Sequence, residues 1–67
     1  MWLVVTKQGI ERLFLNKPYR IIVGNVGIWH FPNEISKPLS LGTIKNFIGF
    51  NINFNNEPIF YQENYEV

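Results

Sequence analysis

Cysteine is absent from this 67-residue chain, and histidine occurs once, as His30. Without cysteine there can be no disulfide and no thiolate metal ligand, and one histidine cannot complete a structural zinc site, which takes four ligands. Alanine and aspartate are also absent, and no apolar run approaches the roughly 20 residues of a membrane helix. The sequence therefore predicts a domain stabilised by packing or by a partner, with no cofactor and no membrane span.

Catalytic patterns are lacking as well. A hydrolytic triad would have to combine His30 and Glu34 with Ser36 or Ser40, and no glycine pattern frames either serine as a nucleophile. The glycines of residues 24–27 lack the lysine and the strand-to-helix context of a phosphate-binding loop. We therefore expect no enzymatic activity and no small-molecule substrate.

Strand signals dominate the chain, because short stretches of alternating apolar and polar residues are separated by turn residues. One short helix is predicted over residues 43–48, with Thr43 as N-cap and Gly49 at its end. Residues 32–38, which begin and end with proline, are predicted to form a surface loop. The predicted strands cover residues 2–6, 10–15, 19–23, 28–31, 50–54 and 59–61.

Five to six short strands with one helical turn predict a mainly β fold in which strand residues outnumber helix residues at least twofold. The leading architecture is a small antiparallel SH3-like barrel, because closure removes exposed sheet edges. A compact meander of the same strands and a flat antiparallel sheet packed under the helix are the alternatives. The OB-fold is less favoured, because it generally needs a longer chain and longer strands. We expect one domain over residues 1–61 and an acidic tail over 62–67.

The alternation also predicts which side chains are buried. Asn51 and Asn53 should be exposed, since they alternate with apolar neighbours. The predicted core consists of Leu3, Val5, Leu13, Ile21, Val23, Ile44, Phe47, Ile52 and Phe54.

Aromatic content gives the leading functional hypothesis. The chain has 11 aromatic residues in two Trp, three Tyr and six Phe, more than a small barrel can enclose, and surplus aromatic surface commonly marks an interface. A core of this size also rarely supplies more than about 3–5 kcal/mol of net stability. We therefore expect a non-enzymatic interaction protein that binds a protein partner or forms a homo-oligomer.

Charge distribution gives the alternative, a small-barrel nucleic-acid-binding protein. The net charge is only +1, but residues 1–45 hold every lysine and arginine while residues 46–67 are acidic. Basic residues near predicted turns, beside aromatic rings that could stack on bases, are the ingredients of a single-strand binder. The candidate binding surface for either hypothesis consists of Lys17, Tyr19, Arg20, Trp29 and His30.

The stretch Leu39–Gly49, continued by residues 55–59, resembles small uncharacterised proteins of phages and mobile elements. The resemblance covers under a third of the chain and implies no catalytic activity. It implies a binding role, as a virion component or as an inhibitor of host machinery. Residues 1–6 are too short for a signal-peptide core, so a cytoplasmic location is expected, in a virion or in host cytoplasm if the resemblance holds.

Overall fold

A computed structural model describes residues 1–62 of the chain. Within that range it has six strands and one helix, so the prediction of a mainly β fold with strand residues well over twice the helix residues is confirmed. The helix has six residues, so no described helix reaches the length and apolarity of a membrane span. Of the predicted acidic tail, residues 63–67 lie outside the described range. The elements are β1 (Trp2–Val5), β2 (Glu11–Phe14), β3 (Tyr19–Val23), β4 (Val26–His30), β5 (Lys37–Pro38), α1 (Thr43–Ile48) and β6 (Ile59–Phe60).

The strands form two separate antiparallel sheets. One has four strands in the order β5-β2-β1-β6, and the other is the β3–β4 hairpin alone. A barrel requires each strand to pair on both sides, and among the described residues β3 and β4 pair only with each other. The predicted SH3-like barrel is therefore wrong, and the alternative, a compact meander, is confirmed.

Turn residues set both hairpins. Gly9 adopts a φ of 89° in the β1–β2 turn, where its N–H donates to the Thr6 carbonyl at 2.9 Å. Gly24 adopts a φ of 60° in the β3–β4 turn, which has two residues, since Val23 pairs with Val26. Short hairpin turns favour positive φ, which glycine adopts without steric cost. Strand β4 thus begins two residues earlier than predicted.

Helix α1 has the predicted bounds but a different N-terminal cap. Gly42, with a φ of 90°, occupies the N-cap position, and the Thr43 hydroxyl donates to the Ser40 carbonyl. The carboxylate of Glu11, on β2, accepts the N–H groups of Gly42 and Ile44 at 2.6 Å each. Glu11 is 8% exposed, so a buried side chain on the sheet accepts the backbone N–H groups at the start of the helix. The sequence around α1 could not predict this cap, because Glu11 lies 31 residues before Gly42.

The core lies on both faces of the four-stranded sheet, because successive side chains of β1 point in opposite directions. On one face, Val4 packs with Phe14, Trp29 and Phe54. On the other face, a second cluster joins β1 to α1. Its buried members are Leu3, Val5 and Ile44, and its partly buried members are Leu13, Leu39, Phe47, Ile48, Ile52 and Tyr61.

Four of the nine predicted core residues are buried, namely Leu3, Val5, Ile44 and Phe54. The prediction is wrong for Ile21 and Val23, which are 37% and 72% exposed. Their strand belongs to the β3–β4 hairpin, which contacts the core mainly through Trp29. The remaining members, Leu13, Phe47 and Ile52, are half-buried, and the two asparagines predicted to be exposed, Asn51 and Asn53, are exposed.

The predicted strand over residues 50–54 does not form. Asn53 donates its backbone N–H to the Asn56 side chain, and its own side chain accepts the N–H of Asn55, both at 2.8 Å. Such local bonds compete with a strand ladder. Ile52 joins the cluster beside α1 whereas Phe54 joins the opposite cluster. The alternating apolar residues of 50–54 therefore do not mark a strand. They lie on a segment that passes from one face of the sheet to the other.

The proline-bounded loop at 32–38 ends in a short edge strand that was not predicted. Lys37 and Pro38 pair with Leu13 and Arg12 of β2. Proline has no N–H for a further ladder bond, so it is tolerated at a sheet edge. Strand β5 accordingly terminates the sheet on that side.

Replacing Phe54 by alanine tests the importance of the cluster under the hairpin. The Phe54 ring lies 5.6 Å from the Trp29 ring, edge to face, and an added Cβ at Gly27 would lie 2.6 Å from it. Removing a buried phenylalanine costs about 3–5 kcal/mol, comparable with the whole stability of so small a domain. We expect Phe54→Ala to be largely unfolded by circular dichroism. Phe50→Ala, at a 53% exposed ring, is the matched control; equal melting temperatures for the two variants would contradict the assignment.

Candidate functional site

Four of the five predicted site residues line one cleft of about 590 Å³ between the β2–β3 connection and the β3–β4 hairpin. They are Lys17, Tyr19, Arg20 and Trp29, and the structure therefore brings them together. His30 does not line this cleft. The other lining residues are Asn16, Pro18, Phe31 and Glu57.

Trp29 contributes to the core rather than to an open stacking surface. It is 9% exposed, and its indole N–H donates to the Val5 carbonyl at 2.9 Å. Trp29 also packs edge to face on Phe54. The indole therefore anchors the base of β4 to β1, and it offers no free ring face on which a base could stack.

Arg20 is likewise engaged within the chain. Its Nε donates to the Phe54 carbonyl at 3.1 Å, and its Nη2 donates to the Asn56 carbonyl at 2.8 Å. Its Nη1 donates to Glu57 at 3.2 Å, and the guanidinium carbon lies 4.7 Å from the centre of the Trp29 ring. Three donors and one ring face are thus used to fasten β3 to residues 54–57.

The other three predicted residues are exposed. Tyr19 is 57% exposed and stacks on Phe31 with ring centres 6.0 Å apart. The Lys17 ammonium lies 5.5 Å from the centre of the Trp2 ring. His30 pairs directly with Tyr19 across the hairpin, so the strand register places both on the side of the ladder opposite Trp29. Tyr19 lies at the end of the ladder, and it also lines the cleft.

Glu34 positions the loop that leads into the cleft. Its carboxylate accepts the backbone N–H groups of Leu15 and Asn16 and the Asn16 side-chain amide. Desolvation, the largest single influence, raises the pKa of Glu34, but these hydrogen bonds together outweigh it and hold the pKa below its ordinary value. Ser36 accepts a hydrogen bond from Arg12. The acid and the hydroxyl considered for a triad therefore make structural contacts, and no group of three metal-ligating side chains converges within residues 1–62.

The outer face of the β3–β4 hairpin carries several exposed apolar side chains. We call the six side chains that share it by strand register the hairpin face. Five of these residues are between 37% and 72% exposed, and the sixth, His30, is also exposed. The hairpin face consists of Tyr19, Ile21, Val23, Val26, Ile28 and His30.

Sequence reasoning missed the exposed aliphatic residues of this face. The signal in the sequence is the run Ile21-Ile22-Val23, which is apolar on consecutive residues and so places apolar side chains on both faces of β3. A strand of this kind is usually packed against other elements on both faces of its sheet. Ile22, which points to the inner side, is 61% exposed.

Replacing Arg20 by lysine tests its anchoring role. Lysine keeps the charge but has a single nitrogen, so it cannot reach the three acceptors of the 54–57 turn together. We expect Arg20→Lys to lower the free energy of unfolding by about 1–2 kcal/mol in urea titrations. Lys45→Arg makes the reverse exchange on the exposed side of α1 and should leave stability unchanged. Equal stability of Arg20→Lys and the parent chain would refute the anchor.

No family model matches this chain, and neither curated proteins nor solved structures give a significant match. The function is therefore inferred from the chain's own side chains and their contacts.

Proposed function

We propose that this chain is a non-enzymatic interaction protein that binds protein through the hairpin face. The observation that carries the proposal is the exposure of Ile21, Val23, Val26 and Ile28 on one side of a two-stranded ribbon. Contiguous apolar patches on soluble monomers rarely exceed about 300–600 Å², and patches of that size are often binding sites.

Burial of this face supplies the driving force for binding. Each square ångström of apolar surface removed from water contributes roughly 25 cal/mol before the costs of association. Charged residues are depleted at the centre of protein interfaces, while aromatic residues are enriched there. The hairpin face has that composition, with aliphatic side chains at its centre and Tyr19 at one end.

Anchoring at the base of the hairpin favours binding further. The Trp29 indole is bonded to Val5, and the Arg20 guanidinium is bonded to the 54–57 turn. The ribbon is thereby fixed to the sheet at one end. The anchored end of the hairpin face is already ordered, so it loses less conformational entropy when it binds.

Binding to nucleic acid has weaker support. Lys17 and Tyr19 are exposed beside the cleft, but Arg20 and Trp29 are engaged within the chain, and Glu57 adds negative charge to the lining. Single-strand binding depends on free cations and free ring faces. Binding of a labelled oligonucleotide that weakens steeply with salt would favour this alternative. The resemblance to phage proteins supports a protein partner in the virion or in host cytoplasm.

A photoreactive phenylalanine analogue at residue 28 tests protein binding through the hairpin face. The matched control carries the same analogue at residue 35, where Ile35 is 95% exposed and is not part of the β3–β4 ladder. Irradiation in cells that produce the protein should give crosslinked species from residue 28 and few from residue 35. The same yield from both residues, or none from either, would contradict the proposal.

A further inference from the structure

The far end of the β3–β4 hairpin is covered on neither face by the described residues. Ile22 on the inner side is 61% exposed, and Val23 and Val26 on the outer side are 72% and 64% exposed. A two-stranded ribbon by itself is at best marginally stable in water and requires further strands or a packed face. The hairpin therefore gains stability from whatever covers it.

The side chains of the hairpin face restrict which kind of partner could pack against it. None of its side chains is a lysine, arginine, aspartate or glutamate, and Arg20 points to the opposite side, toward the 54–57 turn. Phosphate groups would find no cation on this face, and a charged protein surface would lose hydration without gaining an ion pair. Two identical faces, by contrast, meet without like-charge repulsion.

The size of the face fits a weak symmetric pair. Stable complexes commonly bury about 800 Å² on each partner, and transient ones bury less. The face is one side of a five-residue ladder, so it falls toward the lower end of that range. Transient interfaces of small area bind weakly, so we expect a dissociation constant of about micromolar order or weaker.

We propose that a second copy of this chain covers the hairpin face, with two hairpins packed face to face about a twofold axis. The inference rests on the proposed function and names its partner. Sheets packed in this way lie about 10 Å apart, and a twofold axis makes the same patch serve both copies. Ile21 and Ile28, which pair at the middle of the ladder, lie at the centre, with Tyr19 and His30 at the rim.

Sedimentation equilibrium of the purified chain between about 1 and 200 µM, which brackets a micromolar constant, tests the pair. The parent chain should show a monomer–dimer equilibrium in that range. Ile28→Lys should weaken it at least about tenfold, because each copy would bring a charge into the apolar contact. Ile35→Lys, which adds the same charge at a 95% exposed site, should leave it unchanged. Val26→Lys, nearer the turn, is a second variant, and circular dichroism verifies that each variant folds.

Three results would overturn the pair: a strictly monomeric parent chain, equal weakening by Ile35→Lys, or unchanged association in both hairpin variants. Crosslinking through residue 28 separates this failure from failure of the proposed function. If the purified chain is monomeric and residue 28 still forms crosslinks to other proteins in cells, the second copy is refuted and protein binding stands. If residue 28 forms no crosslink in either setting, both are refuted.

Discussion

Burial of β1 on both faces is the constraint on which the rest of the structure depends. Val4 packs under the hairpin base, while Leu3 and Val5 pack against α1. The bond from the Trp29 indole to the Val5 carbonyl attaches β4 to the same strand. Among the described residues, both core clusters lie against the four-stranded sheet, and neither includes the outer face of the hairpin. The apolar side chains on that face therefore stay exposed.

Local signals predicted the two hairpins and the bounds of α1, because glycine at positive φ and residue alternation act within a few residues. Contacts distant in sequence decided the rest. Ile52 and Phe54 have the spacing of a strand, yet they join different clusters. Alternation likewise could not reveal that Ile21 and Val23 lie on a hairpin without cover. The cap of α1 by Glu11 joins residues more than 30 positions apart.

The sequence predicted which residues lie near one another in the candidate site, but not what their side chains do there. Pairing of Arg20 with Trp29 brings residues 17–20 and 29 to one cleft, and turn positions suggested that proximity. The hydrogen-bond partners of Arg20 and Trp29 are 24 to 37 residues away in the sequence, so the pattern could not show that both side chains are already engaged. The binding surface that we propose is instead aliphatic, in a strand first assigned to the core.

The central claim is that the hairpin is fixed at its base and uncovered beyond it. Amide hydrogen exchange of the parent chain, measured residue by residue at low micromolar concentration, tests this claim most directly. The account predicts the slowest exchange at Leu3 and Val4 and much faster exchange at Val23 and Val26, since amides in uncovered elements open locally without global unfolding. Equal protection of the hairpin end and β1 in dilute solution would contradict it.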